Sequence, residues 1–161
     1  PKSNPEKVKI TDDPIKVFTK IYNTSSIFIS RGDDSGTHFK EMQIWKTSKL
    51  DPTKFSGDWY KETGSGMGTT LNLTNGMEAY TLTDRASWIN FKNKNNLKIV
   101  AEKNQMLFNQ YGITMVNPLK CPNVKVKNAK IFISWLLSET GKNSISNFKI
   151  KNQQLFFPNR N

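Results

Sequence analysis

The apolar triplet Ile27-Phe28-Ile29 runs straight into Ser30-Arg31-Gly32-Asp33-Asp34-Ser35-Gly36-Thr37-His38 and then into a helical-looking stretch from Phe39 to Lys46. β-prone, turn-prone and helix-prone residues in that order specify a strand, a turn and a helix. In such a unit Asp34 or Ser35 caps the helix, and the first-turn N–H groups find no acceptor within it. Those donors face whatever lies beyond the strand end, so a small anion is the natural guest. Arg31 adds a permanent charge and a flat fork of donors suited to oxyanions. The same residues also fit a plainer reading, a capped surface turn with an exposed arginine.

A second turn of related design follows. Gly64-Ser65-Gly66-Met67-Gly68-Thr69-Thr70-Leu71-Asn72 places glycines two apart, which lets backbone approach a ligand without interference from Cβ atoms. No Gly-Lys-Ser or Gly-Lys-Thr follows, so it is not a Walker loop, and its spacing is not a dinucleotide fingerprint.

The 161 residues suffice for one ordinary domain or two small lobes with a real core. No apolar run approaches the roughly 20 residues that cross a bilayer. The chain begins Pro1-Lys2-Ser3-Asn4-Pro5, without an initiator methionine or a secretory apolar region, and is expected to be a processed, truncated or excised piece. One cysteine, Cys121, and one histidine, His38, cannot form an internal disulfide or a Cys/His zinc site. Metal hydrolysis and Cys/His or Ser/His/Asp catalysis are therefore disfavoured, and no enzyme activity and no cofactor are expected.

The net charge of +11 raises a nucleic-acid or polyanion-binding module as the alternative function. Its distribution argues otherwise. From Arg31 to Ser65 six Lys/Arg face six Asp/Glu, whereas from Met106 to Asn161 there are eight against one. That basic tail is mostly lysine, the pattern of a solvated face, whereas phosphate-tracking grooves mix arginine with exposed aromatics. No nucleic-acid partner is expected.

Along the chain, Asp12-Asp13-Pro14 signals a helix whose apolar face is Ile15, Val17, Phe18 and Ile21. The helix after the first turn runs to about Ser48, with Phe39, Met42, Ile44 and Trp45 on its buried side. Another helix covers about Thr69 to Gly76. Glu78–Thr83 alternates like a strand, and Thr83 or Asp84 caps a short helix. Leu97–Ala101 and Gly112–Val116 read as further strands. Val124–Ser138 is the longest amphipathic helix; Thr140-Gly141 breaks it, and Lys142–Phe148 resumes. Trp45, Trp59, Trp88 and Trp135 are expected in the core. Alternating strands and helices imply an α/β sandwich with a largely parallel sheet, in which ligands sit beyond the carboxyl ends of strands.

Several long words resemble the tungstate-binding proteins of bacterial and archaeal ABC importers, the TupA group of type II periplasmic binding proteins. Phe28 through His38 is similar to that family's oxyanion motif, and Trp59-Tyr60-Lys61-Glu62-Thr63-Gly64-Ser65-Gly66-Met67-Gly68 to its second loop. Ala79-Tyr80-Thr81-Leu82-Thr83-Asp84-Arg85, Leu107-Phe108-Asn109-Gln110-Tyr111-Gly112 and Gln153-Gln154-Leu155-Phe156-Phe157-Pro158-Asn159 also resemble it, in the same order from about Pro1 to Asn159. The Thr/Ser-rich turn that opens the family's first lobe has no counterpart here. Position 69 is threonine where relatives mostly carry alanine, and Thr70 falls on the family's threonine.

The resemblance implies a three-layer α/β sandwich lobe of a type II periplasmic binding protein, with a C-terminal portion of the other lobe. Residues 1–11 would be a linker from the hinge, 12–105 the second, ligand-binding lobe, and 106–161 the hinge return and the C-terminal part of the first lobe. It implies capture of tungstate or molybdate outside the cytoplasm and delivery to the membrane permease of an ABC importer. The implied ligand donors are Ser30, Arg31, Ser35, Gly36 and Thr37 from the first turn, with Gly68, Thr69 and Thr70 from the second. A further partner is the N-terminal segment of the first lobe, which this sequence lacks. His38 would pack under the site.

Overall fold

The computed structural model describes residues 1–10 and 12–159. Thr11, the last residue of the expected lead-in, and Arg160 and Asn161, at the end of the expected return segment, lie outside the described residues. The chain divides into two compact units, Pro1–Asn109 and Gln110–Asn161.

In the first unit, helix α1 (Pro14–Asn23) starts where the sequence dictates: Asp13 accepts from the Ile15 N–H, and Pro14 occupies the first turn, where no N–H is needed. Strand β1 (Phe28–Ser30) leads into α2 (Gly36–Thr47). After a 3₁₀ turn at Pro52–Phe55, strand β2 (Tyr60–Glu62) leads into α3 (Met67–Gly76). α4 (Arg85–Asn90) is capped by Asp84, whose carboxylate accepts from the Ser87 N–H. A second 3₁₀ turn covers Gln105–Leu107.

β1 and β2 pair in parallel, in register Phe28 with Tyr60, Ile29 with Lys61 and Ser30 with Glu62. Alternate N–H groups of β1 go to opposite sides: Phe28 donates to Trp59 O, and Ile29 donates to Tyr80 O. The expected strand over Glu78–Thr83 is thus reduced to a parallel bridge at Tyr80 on the other edge of β1.

The core is aromatic. Trp45 is fully buried, with the Phe18 ring centroid 4.5 Å away, Phe28 at 5.5 Å, Trp59 at 6.3 Å and Tyr60 at 6.4 Å. Tilted and edge-on pairs of this kind add to area burial, and truncating any one ring to alanine typically costs about 3–5 kcal/mol. A smaller cluster joins Met67, Leu71 and Leu97, with Trp88 and Phe91 packed against it. The lead-in residues lie on this unit: Val8 is buried, and Asn4 receives the Tyr80 hydroxyl at 3.3 Å.

Leu97–Ala101 is not a strand. Leu97 turns back to donate to Lys94 O and sends its side chain into the α3 cluster, so the segment is extended but has no ladder partner. Phe39, expected inside, is 64% exposed, while Ile44 and Trp45 carry the burial of α2.

The second unit contains α5 (Val126–Leu137), α6 (Glu139–Asn147) and the antiparallel pair β3 (Lys149–Ile150) and β4 (Gln153–Gln154). The break between helices falls at Ser138, not at Thr140-Gly141. Ser138 ends α5, with its hydroxyl donating to Trp135 O at 2.6 Å, and caps α6 by accepting from Gly141 N–H at 3.2 Å. Gly141 is required there because a Cβ would run into the Trp135 carbonyl and the Leu136 backbone. Gly112–Val116 also lacks a ladder and lies along α5, forming with it a cavity of about 210 Å³ lined by Ile113, Met115, Val116, Val124, Ala129 and Phe132. α5 buries no residue, and Trp135, expected in the core, is 43% exposed.

Among the described residues no helix is long and apolar enough to cross a membrane, and no group of three or more His, Cys, Asp or Glu is placed to hold a metal ion.

Candidate functional site

Because β1 and β2 are parallel neighbours and each feeds a helix, the turns after them open at the same end of the sheet. Backbone bonds join the two. Thr63 N–H donates to Ser30 O at 3.0 Å, Ser65 N–H donates to Arg31 O at 3.3 Å, and the Thr63 hydroxyl donates to the same Arg31 carbonyl at 3.1 Å. The sequence placed both turns beyond strand ends; the Arg31 carbonyl is what fastens one to the other.

The first turn is shaped by local chemistry. Gly32 adopts φ +56°, and a Cβ there would lie 2.9 Å from Glu62 Cβ, so both conformation and space demand glycine. Asp34 also has positive φ, at +55°, which aspartate tolerates better than most residues. Of the two candidate caps, Ser35 takes the role and accepts from His38 N–H at 3.3 Å. His38 Nδ1 in turn accepts from Asp34 N–H at 3.1 Å. Gly36 and Thr37 stand in the first turn of α2, where the helix offers their amides no acceptor.

Arg31 is 18% exposed and held by Asp33: Nη2 donates to Oδ2 at 2.5 Å. Its Nε is buried and has no hydrogen-bond partner among the described residues. A buried charged donor without a partner costs free energy that a bound acceptor would recover. Burial alone would raise the Asp33 carboxyl, but hydrogen bonds from Ser35 and the Arg31 guanidinium outweigh it and hold it below the usual range.

The second turn is made from neutral groups. Gly66 starts α3 with no side-chain cap. Thr63 and Thr70 hydroxyls meet at 3.1 Å, Ser65 N–H donates to Thr63 Oγ1 at 3.2 Å, and Thr70 donates to Gly66 O at 3.2 Å. Gly68 and Thr69 are exposed in the first turn of α3.

The structure thus brings Arg31, Ser35, Gly36, Thr37, Gly68 and Thr69 to two adjacent helix starts. Ser30 and Thr70 lie one layer below, fully buried, with hydroxyls engaged by protein groups. Sequence reasoning missed Thr63, the bridge between turns, and Glu41, which sits under the first turn only 2% exposed. Ser30 Oγ donates to Glu41 Oε2 at 2.9 Å, while Tyr60 Oη and Trp45 Nε1 donate to Oε1 at 2.8 and 3.2 Å. Burial pushes the Glu41 carboxyl up to about 7 against the pull of these three donors, and it pushes the Tyr60 hydroxyl up as well. The available signal was spacing: Glu41 and Trp45 are four apart and share the inward face of α2.

Residues 1–140 match the family model of the PBP superfamily domain, the periplasmic binding proteins. The chain belongs to that superfamily. It is 40% identical over 92% of its length to the tungstate-binding protein TupA of Peptoclostridium acidaminophilum, covering 51% of that protein. With the tungstate-binding protein TupA of Campylobacter jejuni it shares 39% identity over 84% of its length, again covering 51% of the relative. Among solved structures, the tungstate-binding protein TupA of Desulfovibrio alaskensis G20 superimposes with a TM-score of 0.86 at 36% identity, over 99% of this chain and 64% of that one. The chain spans about half the length of the curated relatives it matches. The α/β fold class expected from the sequence is that of this superfamily.

Proposed function

We propose that this chain supplies the ligand-binding lobe of an extracytoplasmic solute-binding protein that captures tungstate or molybdate and hands it to the permease of an ABC importer, without turnover or cofactor. The observation that carries this reading is the Arg31 corner: its carbonyl ties the two turns together, and its Nε is a buried donor without an acceptor. Likeness to proteins named tungstate-binding narrows the anion.

A tetrahedral dianion with no acidic proton calls for donors. Arg31 Nε, the first-turn amides of α2 at Gly36 and Thr37, the Ser35 corner and the first turn of α3 at Gly68 and Thr69 are its ligand groups on this chain. Ser30 and Thr70 support them from beneath. A charge-assisted hydrogen bond contributes roughly 1.5–3 kcal/mol and a helix terminus about 0.3–1 kcal/mol, while nanomolar capture needs about 12 kcal/mol net. Donors from a second lobe complete the set. The exposed apolar residues of the second unit, among them Leu119 at 92%, Phe132 and Trp135, support a further segment of the whole protein that covers them.

Calorimetric titration of tungstate tests this. The whole protein is expected to bind tightly and the 161-residue chain at least a hundredfold more weakly. Arg31→Ala in the whole protein is expected to weaken binding roughly 10- to 150-fold, the equivalent of one charge-assisted bond. Equal, tight binding by chain and whole protein would refute the two-lobe reading, and binding indifferent to Arg31→Ala would remove the site.

A further inference from the structure

We propose that Glu41 is a positioning residue of the oxyanion site, acting through the Ser30 hydroxyl, and that anion capture is accompanied by uptake of a proton wherever its carboxyl was ionised. This rests on the reading of the Arg31 turn as an oxyanion site.

The geometry is a relay. Gly32 N–H donates to Ser30 Oγ at 3.2 Å, and Ser30 Oγ donates to Glu41 Oε2 at 2.9 Å, so the carboxylate holds the residue that holds the turn. On its other oxygen, Trp45 Nε1–H can only donate, and Tyr60 Oη donates beside it. Three donors satisfy the ionised carboxylate, but none of them is a cation. The remaining charged neighbour is Glu62 on β2, whose like charge adds to burial in favouring the neutral acid. From α1 the facing groups are the Phe18 and Tyr22 rings, packed on Trp45. In the turn itself Arg31 is partnered by Asp33, and His38 Nδ1 by Asp34 N–H.

These opposing pulls leave the carboxyl close to balance near neutrality. A dianion on the Arg31 turn adds negative potential in a poorly solvated place, and the carboxylate beneath it is destabilised. The proton comes from solvent and is placed on Oε2. Oε2 then donates to Ser30 Oγ, and the Ser30 hydrogen, no longer held by Glu41, is released to face the turn. Each molecule in which Glu41 was ionised takes up one proton, and no other covalent bond forms or breaks. Ser30 is thereby a ligand-side donor in the protonated state and a donor to Glu41 in the ionised one.

The test is tungstate titration of the whole protein between pH 6.0 and 8.5 in buffers of different ionisation enthalpy, for the wild type and Glu41→Gln. Affinity is expected to fall as pH rises through the Glu41 midpoint, about tenfold for each pH unit by which the bound anion raises that midpoint. Wild type should take up protons on binding near pH 7, and Glu41→Gln should bind with a flat profile and no uptake. Should that variant not fold, the ¹³C carboxyl resonance of Glu41 in the wild type decides: its titration midpoint must move upward when tungstate is added. Tungstate binding without proton uptake, or uptake that survives in Glu41→Gln, overturns the proposal and leaves the oxyanion reading intact. No tungstate binding at any pH overturns both.

Discussion

The two turns at the sheet end differ in what holds them. The Arg31 turn depends on ionisable side chains: Arg31 against Asp33, Ser35 capping α2, and Glu41 beneath. The Gly64–Gly68 turn depends on glycine backbone and neutral hydroxyls, with Thr63, Ser65 and Thr70 bonded among themselves and no side chain capping α3. One wall of the site therefore sets charge, and the other sets shape. The first should respond to pH and to loss of side chains, the second to added side-chain bulk.

Acidity separates them most. The Glu41 carboxyl is raised from 4.5 to about 7 in the folded chain, so the folded state binds more protons than the unfolded state between those values. Its contribution to stability is fully present below about pH 4.5 and is lost as pH rises through about 7. The wild type should lose on the order of 3 kcal/mol more than Glu41→Gln between pH 4.5 and 7.5, measured by denaturant unfolding followed through tryptophan fluorescence. Asp33 acts in the opposite sense: lowered from 3.8, it supports the fold above that value and loses its contribution at more acid pH, outside this window. Identical slopes for the two proteins would mean that Glu41 titrates in the folded chain as it does in the unfolded one.

Glycine replacement separates the turns next. Gly32→Ala places a Cβ 2.9 Å from Glu62 Cβ at φ +56° and should destabilise by about 1–3 kcal/mol. Gly66 is open, with nothing within 4 Å of an added Cβ and φ −63°, and Gly66→Ala should stay within about 0.5 kcal/mol. Thermal or denaturant midpoints for the pair decide this. Equal losses would contradict the assignment of the crowded corner to Gly32; the second turn's own left-handed glycine is Gly64, at φ +58° with open space around it.

What could be read from the sequence was local. The start of α1 at Asp13-Pro14, the cap of α2 at Ser35 or its neighbour, the cap of α4 at Asp84 or its neighbour, and the positions of the glycine turns all follow from residues within four of one another. Glu41 was not legible as a buried group, because its burial depends on Tyr60, nineteen residues later and on another element. Leu97–Ala101 has strand-like alternation, but an extended segment packed on a helix shows the same pattern, and only a partner strand distinguishes them. Trp135 shows a third kind of miss. The amphipathic pattern located α5 to within two residues at its start and one at its end, yet periodicity names an apolar face without saying what covers it.

The smallest contrast lies at the helix starts. Ser35 accepts from His38 N–H and satisfies one of the donors that α2 leaves open, whereas Gly66 leaves α3 without a side-chain acceptor. Ser35→Ala removes that acceptor and should cost about 1 kcal/mol, while Gly66→Ser installs one on α3 and should gain a few tenths. The gain is smaller because glycine already permits the extended backbone that a cap requires, so serine adds only the hydrogen bond. Binding should move the other way at the second turn. A serine oxygen satisfied by an α3 amide takes a donor away from the anion, so Gly66→Ser should stabilise the fold slightly and weaken tungstate capture by about two- to fivefold, the equivalent of roughly 0.5–1 kcal/mol. Paired measurement of unfolding midpoint and tungstate affinity for this one variant would show whether the open amides of α3 serve the ligand. Stability and affinity rising together would assign the second turn to the fold alone.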